Sequence, residues 1–243
     1  MYSDFSVAYD RIMSDFNYKN AAAYLVDIAK KHGSGLNKPL DLACGSGMLT
    51  KELISLGLDP VCVDSSPDML SIAQSRLPNG TLILCQTMQE LDLNDTVDTC
   101  FCCMDSLNYI TSKKDLASAF SRLSLFTDKG GLFIFDVNTE YKFRSILSDN
   151  IFTYDYDDMY LIWKSSYNSR SHHADYEITW FSEEDDGSYA RADDFQRQCF
   201  WSDKILSQLL IASGFEFRAV YDAYTTNQPH EKSERLHYVW RKR

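Results

Sequence analysis

Asp41-Leu-Ala-Cys-Gly45-Ser-Gly47-Met-Leu-Thr50 is the stretch on which the reading of this 243-residue chain turns. It continues a short apolar run that opens at Pro39, and it leads into residues 48–56, apolar at 49, 53 and 56 in helical spacing. Strand, glycine turn and helix thus follow one another. Glycines at such a turn let backbone N–H groups approach a ligand closely, and the helix N-terminus adds partial positive charge. Nineteen residues beyond Gly45, Asp64 closes a second apolar run, Pro60-Val-Cys-Val63. A carboxylate at that point is placed to accept from both hydroxyls of a ribose.

Outward from this stretch the same alternation repeats. Residues 18–32 carry apolar positions at helical spacing and stop at Gly33. Ser66, Pro67 and Asp68 supply an N-cap, a first-turn proline and a first-turn acid for a helix through Leu70, Ala73 and Leu77. Residues 81–85 and 97–104 read as strands, the second apolar throughout and so covered on both faces. Ser112-Lys-Lys-Asp115 resembles a capping box before a helix with Leu116, Ala119, Phe120 and Leu123. Gly130 and Gly131 precede a fifth strand, residues 132–135, that ends at Asp136. Five such alternations specify an α/β fold, a mostly parallel sheet with helices on both faces.

The pattern changes at about residue 141. Between Phe152 and Trp201 lie 13 of the 33 aromatic residues, many in alternating apolar/polar stretches, and Glu183-Glu-Asp-Asp-Gly187 reads as a hairpin tip. These residues are expected to form an antiparallel β insertion between the fifth strand and the last helix. A helix over 202–213 and strands at about 215–222 and 235–241 complete the chain. The expectation is one domain over 1–243, with 1–140 and 202–243 as its core and about 141–201 as a substrate-side insertion.

Composition removes several functions. Lys and Arg number 24 against 35 Asp and Glu, a net charge of −11, opposite to what displaces counterions from nucleic acid. Most of the excess is local, since residues 149–194 hold 12 acids and 3 bases. No apolar run reaches the roughly 20 residues that span a bilayer, and the first residues lack a signal-peptide layout, so a cytoplasmic protein without a membrane partner is expected. Seven cysteines without paired finger spacing read as reduced thiols. His172 and His173 would point to opposite faces of a strand, so no metal site is expected.

A dinucleotide fold wants a third glycine where this chain has Thr50, which argues against a nicotinamide dehydrogenase. Asp41 at the end of the first strand also suits an ammonium better than a pyrophosphate. The run 41–47 with Asp64 resembles motif I and the acidic strand end of class I S-adenosylmethionine-dependent methyltransferases, which implies a seven-stranded Rossmann-like sheet. Tyr2-x-x-Phe5 with Ala8-Tyr9-Asp10 is similar to the segment that closes over the cofactor in small-molecule members. Residues 85–91, 104–109 and 130–136 resemble the stretches after the third and fourth strands and the fifth strand itself. The insertion resembles that of the glycine and amino-sugar N-methyltransferase branch.

The resemblance implies roles for particular positions. The Ala43–Gly47 backbone, including Gly45, would cradle the methionine moiety with Asp41 near its ammonium. Asp64 would hold the ribose, Ser65 and Met69 would flank the adenosine, and Thr87 and Met88 would meet the adenine. Met104 would face the cofactor across the strand tips, with Tyr9 and Tyr18 near the methionine carboxylate or sulfonium. Ala43 stands where the family has its first glycine. Thr87 stands where an acid is frequent, so a weaker hold on adenine is expected.

Asp105, Tyr109 and Asp136 are the candidates for the substrate side and for accepting a proton. Asp105 reads equally as a turn former and Asp136 as a structural residue. The aromatics of the insertion suit a hairpin core or a substrate cage. Its acidity suits an amine-bearing acceptor or a solvated face. The expected activity is methyl transfer to N or O of a small molecule by a monomer or homodimer. A non-catalytic cofactor sensor or scaffold is the alternative from another class.

Overall fold

The computed structural model describes residues 4–243, without the side chains of Asp4, Phe5 and Val7, so the expectation for Tyr2 and Phe5 lies outside the described residues. The chain runs through α1 (Asp4–Ile12), α2 (Tyr18–Lys31), β1 (Pro39–Leu42), α3 (Met48–Ser55), β2 (Val61–Asp64), α4 (Pro67–Arg76) and β3 (Ile83–Cys85). Then come β4 (Val97–Cys102), α5 (Lys113–Phe126) and β5 (Thr127–Asn138). Four strands follow as the insertion, β6 (Asn150–Tyr156), β7 (Met159–Asn168), β8 (His173–Glu183) and β9 (Tyr189–Cys199). The chain closes with α6 (Asp203–Ala212), β10 (Phe215–Asp222) and β11 (Arg235–Lys242).

Seven strands make one sheet in the order β10-β11-β5-β4-β1-β2-β3. The pairs from β5 to β3 are parallel, while β11 pairs antiparallel with both β5 and β10. The buried strands sort their side chains by the two-residue period of an extended chain. In β5, Phe133, Phe135 and Val137 pack with Leu116, Phe120, Leu206 and Leu210 of α5 and α6. Leu132 and Ile134 face Leu25, Ile28 and Leu53 of α2 and α3 on the other side. Helices therefore cover both faces, as the continuous apolar runs require.

β3 begins two residues later than the sequence indicated, and β5 is longer at both ends, passing Asp136 as far as Asn138. At the start of β5 Thr127 pairs with Val97 of β4, and at its end β11 couples Arg235 to Asn138. This pairing brings Arg235 alongside the fifth strand's end. α1 has no counterpart in the sequence reading.

β6, β7, β8 and β9 form a separate antiparallel sheet in that order, with the turn at Glu183–Gly187 where the acidic tip stands. One face buries Leu161, Tyr176, Ile178 and Trp180 with Phe143 and Leu147. The other face carries exposed ion pairs such as Lys164–Glu177. The acids at 155, 157, 158, 177 and 183–186 are all exposed. No helix among the described residues is long and apolar enough to cross a membrane. Six of the cysteines are buried and Cys85 is exposed, all as free thiols.

Candidate active site

The turn after β1 is built on left-handed backbone. Ala43, Gly45 and Gly47 have φ of 63°, 54° and 79°. Gly45 has no atom within 4 Å of where a Cβ would stand, so its bare backbone borders open space. Gly47 caps α3 and is instead packed from behind, where a Cβ would lie 3.2 Å from Ala73 and Leu77. Strain and crowding combine there. Gly47→Ala is expected to cost about 2 kcal/mol, read from urea unfolding, because the left-handed backbone alone costs roughly 1–2 kcal/mol for an L-residue.

Asp64 stitches this turn to the next. Its Oδ2 accepts from Gly45 N at 2.8 Å and its Oδ1 from Ser66 N at 2.9 Å. Burial raises its pKa, and the backbone hydrogen bonds oppose that rise. Asp41 is 1% exposed and accepts from the Thr50 hydroxyl at 2.6 Å. Thr50 thus fills, with a hydroxyl tied to Asp41, the place where a dinucleotide fold needs glycine. Burial pushes Asp41 up to about 6, opposed by the Thr50 bond and assisted by the charge of Asp64.

A cavity of about 430 Å³ opens above these residues, lined by Tyr9, Ala43, Gly45, Asp64, Ser65, Met69, Thr87, Met88 and Met104. Tyr18 and Asp41 reach a smaller recess of about 40 Å³ that shares Tyr9, Ala43, Gly45 and Met104 with it. Gly47 lines neither. Thr87 donates its hydroxyl to Glu90 Oε2 at 2.9 Å, which orients its lone pairs but commits its proton. Burial raises the hydroxyl pKa of Tyr9, and that of Tyr18 to about 12, so both stand as neutral phenols.

A second cavity of about 260 Å³ adjoins the first and shares Tyr9, Met104, Tyr109 and Gln196 with it. Its other walls include Tyr154, Trp163 and Tyr176 from the insertion, together with Asp105, Lys142, Gln198 and Arg235. Asp105 follows β4 in a left-handed turn with φ of 52°. Its Oδ2 accepts from Gln198 at 2.5 Å, and its Oδ1 pairs with Arg235. Tyr109 donates to Gln196 Oε1 at 2.9 Å, and burial raises its pKa.

Asp136 does not line either cavity. It is fully buried and accepts from Met104 N at 2.9 Å, Asp105 N at 2.6 Å and Arg235 Nη1 at 2.6 Å. Burial alone would raise its carboxyl pKa, but Arg235 and His237 outweigh it and hold the group well below the usual carboxylate range. Its place is behind the cavity wall, where it fixes the backbone of the Met104–Asp105 turn. Cys103, Asp136 and His237 offer ligand atoms within 4.8 Å of one another. A cation among them would compete with the Arg235 guanidinium for the same carboxylate.

α1 closes the roof. Asp10 accepts from Ser46 Oγ at 2.6 Å and from Arg76 Nη2 at 2.6 Å, and Arg76 also donates to the Ser46 carbonyl at 2.6 Å. On its far side Arg11 pairs with Asp158 at 2.5 Å, and Tyr156 donates to the Arg11 carbonyl at 3.0 Å. Glycine turn and insertion are thereby joined through one helix. Sequence reasoning missed Lys142, Gln196, Gln198 and Arg235. No local motif marks them, and only the polar positions within otherwise regular strands hint at Gln196 and Gln198.

A family model described as a methyltransferase domain matches residues 40–131. A relative from Geobacillus sp. (strain WCH70) that carries a methyltransferase name is 33% identical over 247 aligned positions, 99% of each chain. A solved S-adenosylmethionine-dependent methyltransferase from Clostridium acetobutylicum ATCC 824 matches with a TM-score of 0.88 at 28% identity, covering 99% of this chain and 98% of that one. The dTDP-3-amino-3,6-dideoxy-alpha-D-glucopyranose N,N-dimethyltransferase of Streptomyces fradiae is 27% identical over 108 residues, 44% of this chain and 42% of its own. The chain belongs to the class I S-adenosylmethionine-dependent methyltransferases. It is a methyltransferase, and its cofactor is S-adenosylmethionine.

Proposed function

We propose that this enzyme methylates a nitrogen or oxygen of a small molecule held in the 260 Å³ cavity. The observation that carries the reading is the size and enclosure of that cavity, which α1 and the insertion cover on the side away from the sheet. A volume just below the ~300–1,000 Å³ common for small ligands supports an acceptor group of metabolite size. The amino-sugar activity of the Streptomyces relative supports nitrogen as the acceptor atom. Residues 1–140 and 202–243 act in this reading as the core of one domain, with 141–201 as its substrate-side insertion.

The residues present fit the cofactor. Gly45 leaves open the space a side chain would fill, Asp64 would hold the ribose hydroxyls, and Asp41 would hold the ammonium. Ser65, Met69, Thr87 and Met88 would enclose the adenosine, and Tyr9, Tyr18 and Met104 the methionine end. Bound S-adenosylmethionine supplies a methyl group already activated on a sulfonium. The protein's work is alignment and exclusion of water, and such positioning is worth roughly 7–11 kcal/mol.

Asp105 is the carboxylate that the cavity wall presents to an acceptor, and it takes the acceptor's proton directly or through water. Tyr109 borders both cavities and is oriented by its bond to Gln196. Asp136 serves as a positioning residue through the Met104 and Asp105 amides. Incubation with methyl-labelled S-adenosylmethionine and a panel of amines and alcohols tests the reading. Label in a small-molecule product is expected, whereas cofactor binding without transfer to any extract fraction would favour a sensor.

The raised pKa of Asp41 makes cofactor binding pH-dependent. A ligand ammonium favours the ionised carboxylate, so binding releases a proton from the fraction protonated at its free pKa of about 6. Affinity for S-adenosylhomocysteine should therefore be flat above that pH and fall towards tenfold per unit below it, and Asp41→Asn should flatten the profile in calorimetry. In the ligand-free fold the sign reverses. The native state binds this proton more tightly than the unfolded chain, so the group's contribution to stability declines between about pH 4 and pH 6.

A further inference from the structure

Lys142 opens the turn that follows β5, a single π-helical turn over Lys142–Leu147. Such wide turns are rare and cluster at functional sites. The side chain stands between two spaces. It lines the 260 Å³ acceptor cavity, and it lines an outer recess of about 310 Å³ that also carries His230, Lys232 and Glu234. Met104 and Tyr9 border both the cofactor cavity and the acceptor cavity, whereas Lys142 does not reach the cofactor cavity. The order is therefore cofactor, acceptor, Lys142, outer recess.

The charges around it are unequal in their commitments. Arg235, which also joins the two spaces, has Asp105 and Asp136 on its guanidinium. Lys142 Nζ donates to Asn138 Oδ1 at 3.1 Å, a neutral amide. Among the described residues no carboxylate lies within 4.0 Å of that nitrogen. Glu234 lines the recess and Asp105 and Asp136 act on Lys142 from farther off, while Asp222 faces His230 at 3.4 Å. Burial and the nearby Arg235 lower the Lys142 pKa against the pull of those three carboxylates. None of the acids of residues 149–194 lines the acceptor cavity, and Asp194 comes nearest, accepting from Gln196 of its wall at 3.0 Å.

We propose that the methyl acceptor carries an anionic group, phosphate or carboxylate, that docks on Lys142 at the end of the acceptor cavity remote from the cofactor. This deepens the small-molecule reading above and rests on it. A half-buried ammonium whose hydrogen-bond partner is an amide gains strongly from a charge-assisted bond, because an anion supplies what desolvation removed. The acceptor thus presents its nucleophile towards Met104 and its anion towards Lys142, and an anion longer than a carboxylate extends into the outer recess.

The test is calorimetry and thermal melting of the full chain, with and without saturating S-adenosylhomocysteine. Each form is titrated with inorganic phosphate, with acetate and with methylammonium. A melting shift on adding S-adenosylhomocysteine checks the cofactor reading separately from the anion arms. Saturable binding of phosphate identifies a phosphate site, and saturable binding of acetate a carboxylate site. Either should weaken at least tenfold in Lys142→Gln, survive in Lys142→Arg and be unchanged in Lys204→Gln on exposed α6. Circular dichroism of each variant confirms the fold. Absence of saturable anion binding, equal binding by Lys142→Gln, or binding of methylammonium in place of the anions overturns the proposal.

Discussion

Asp64→Asn is expected to weaken S-adenosylhomocysteine binding by about 100-fold, because two hydrogen bonds to a charged acceptor, each worth roughly 1.5–3 kcal/mol, are lost or weakened together. Both carboxylate oxygens already hold backbone amides, Gly45 N and Ser66 N, and each keeps a lone pair for a ribose hydroxyl. In the amide, one oxygen becomes an NH₂ that faces a backbone N–H. The ligand-free variant should therefore also lose about 1–3 kcal/mol of stability, the penalty for a donor left without its acceptor. Calorimetry well below the melting point separates the two effects. An affinity within threefold of the parent enzyme would remove Asp64 from the ribose and with it the account of how the cavity is filled.

Arg235→Met has the larger effect on the fold. The variant leaves the fully buried Asp136 with two backbone amides and His237, and it leaves Asp105 with Gln198 in place of two partners. Breaking a buried pair by removing one partner costs about 3–5 kcal/mol. In the parent protein Asp136 is held below the usual carboxylate range, so its stabilising contribution is complete above the unfolded pKa of about 4 and fades as pH falls further. In the variant, burial is opposed less and the carboxyl pKa rises. The gap between variant and parent in urea unfolding should then be widest at neutral pH and narrow on acidification. A cost below about 1 kcal/mol, or one independent of pH, would show that the guanidinium is not what holds this cluster.

The two substitutions act on halves of the site that differ in how far the chain announces them. On the cofactor half the glycine turn and the acids beside it are local. Gly45 and Gly47 announce left-handed backbone, Ser66 and Pro67 start a helix, Asp64 ends β2, and Asp41 stands one residue before the end of its partner β1. Hydrophobic period and turn chemistry act over a few residues, so the strand–turn–helix order and the acids at its strand ends were readable before any coordinate. The parallel sheet followed from the same alternation.

The acceptor half was decided by distance in sequence. Asp105 meets Gln198 across 93 residues and Arg235 across 130, and both contacts depend on the register of strands that join the site from the insertion and the C-terminal end. No periodicity tells which face of β9 turns towards a cavity, nor that β11 carries Arg235 to the end of β5. The acidic count of the insertion suited an amine-bearing acceptor or a solvated face alike; in the fold most of those carboxylates stand exposed, where their hydration is kept, and aromatics, amides, Asp105, Lys142 and Arg235 line the cavity. Asp136, placed by its strand among the substrate-side residues, was drawn behind the wall because Arg235 and two backbone amides satisfy it there. Burial and charge pairing are properties of the packed chain, and only the packed chain could assign them.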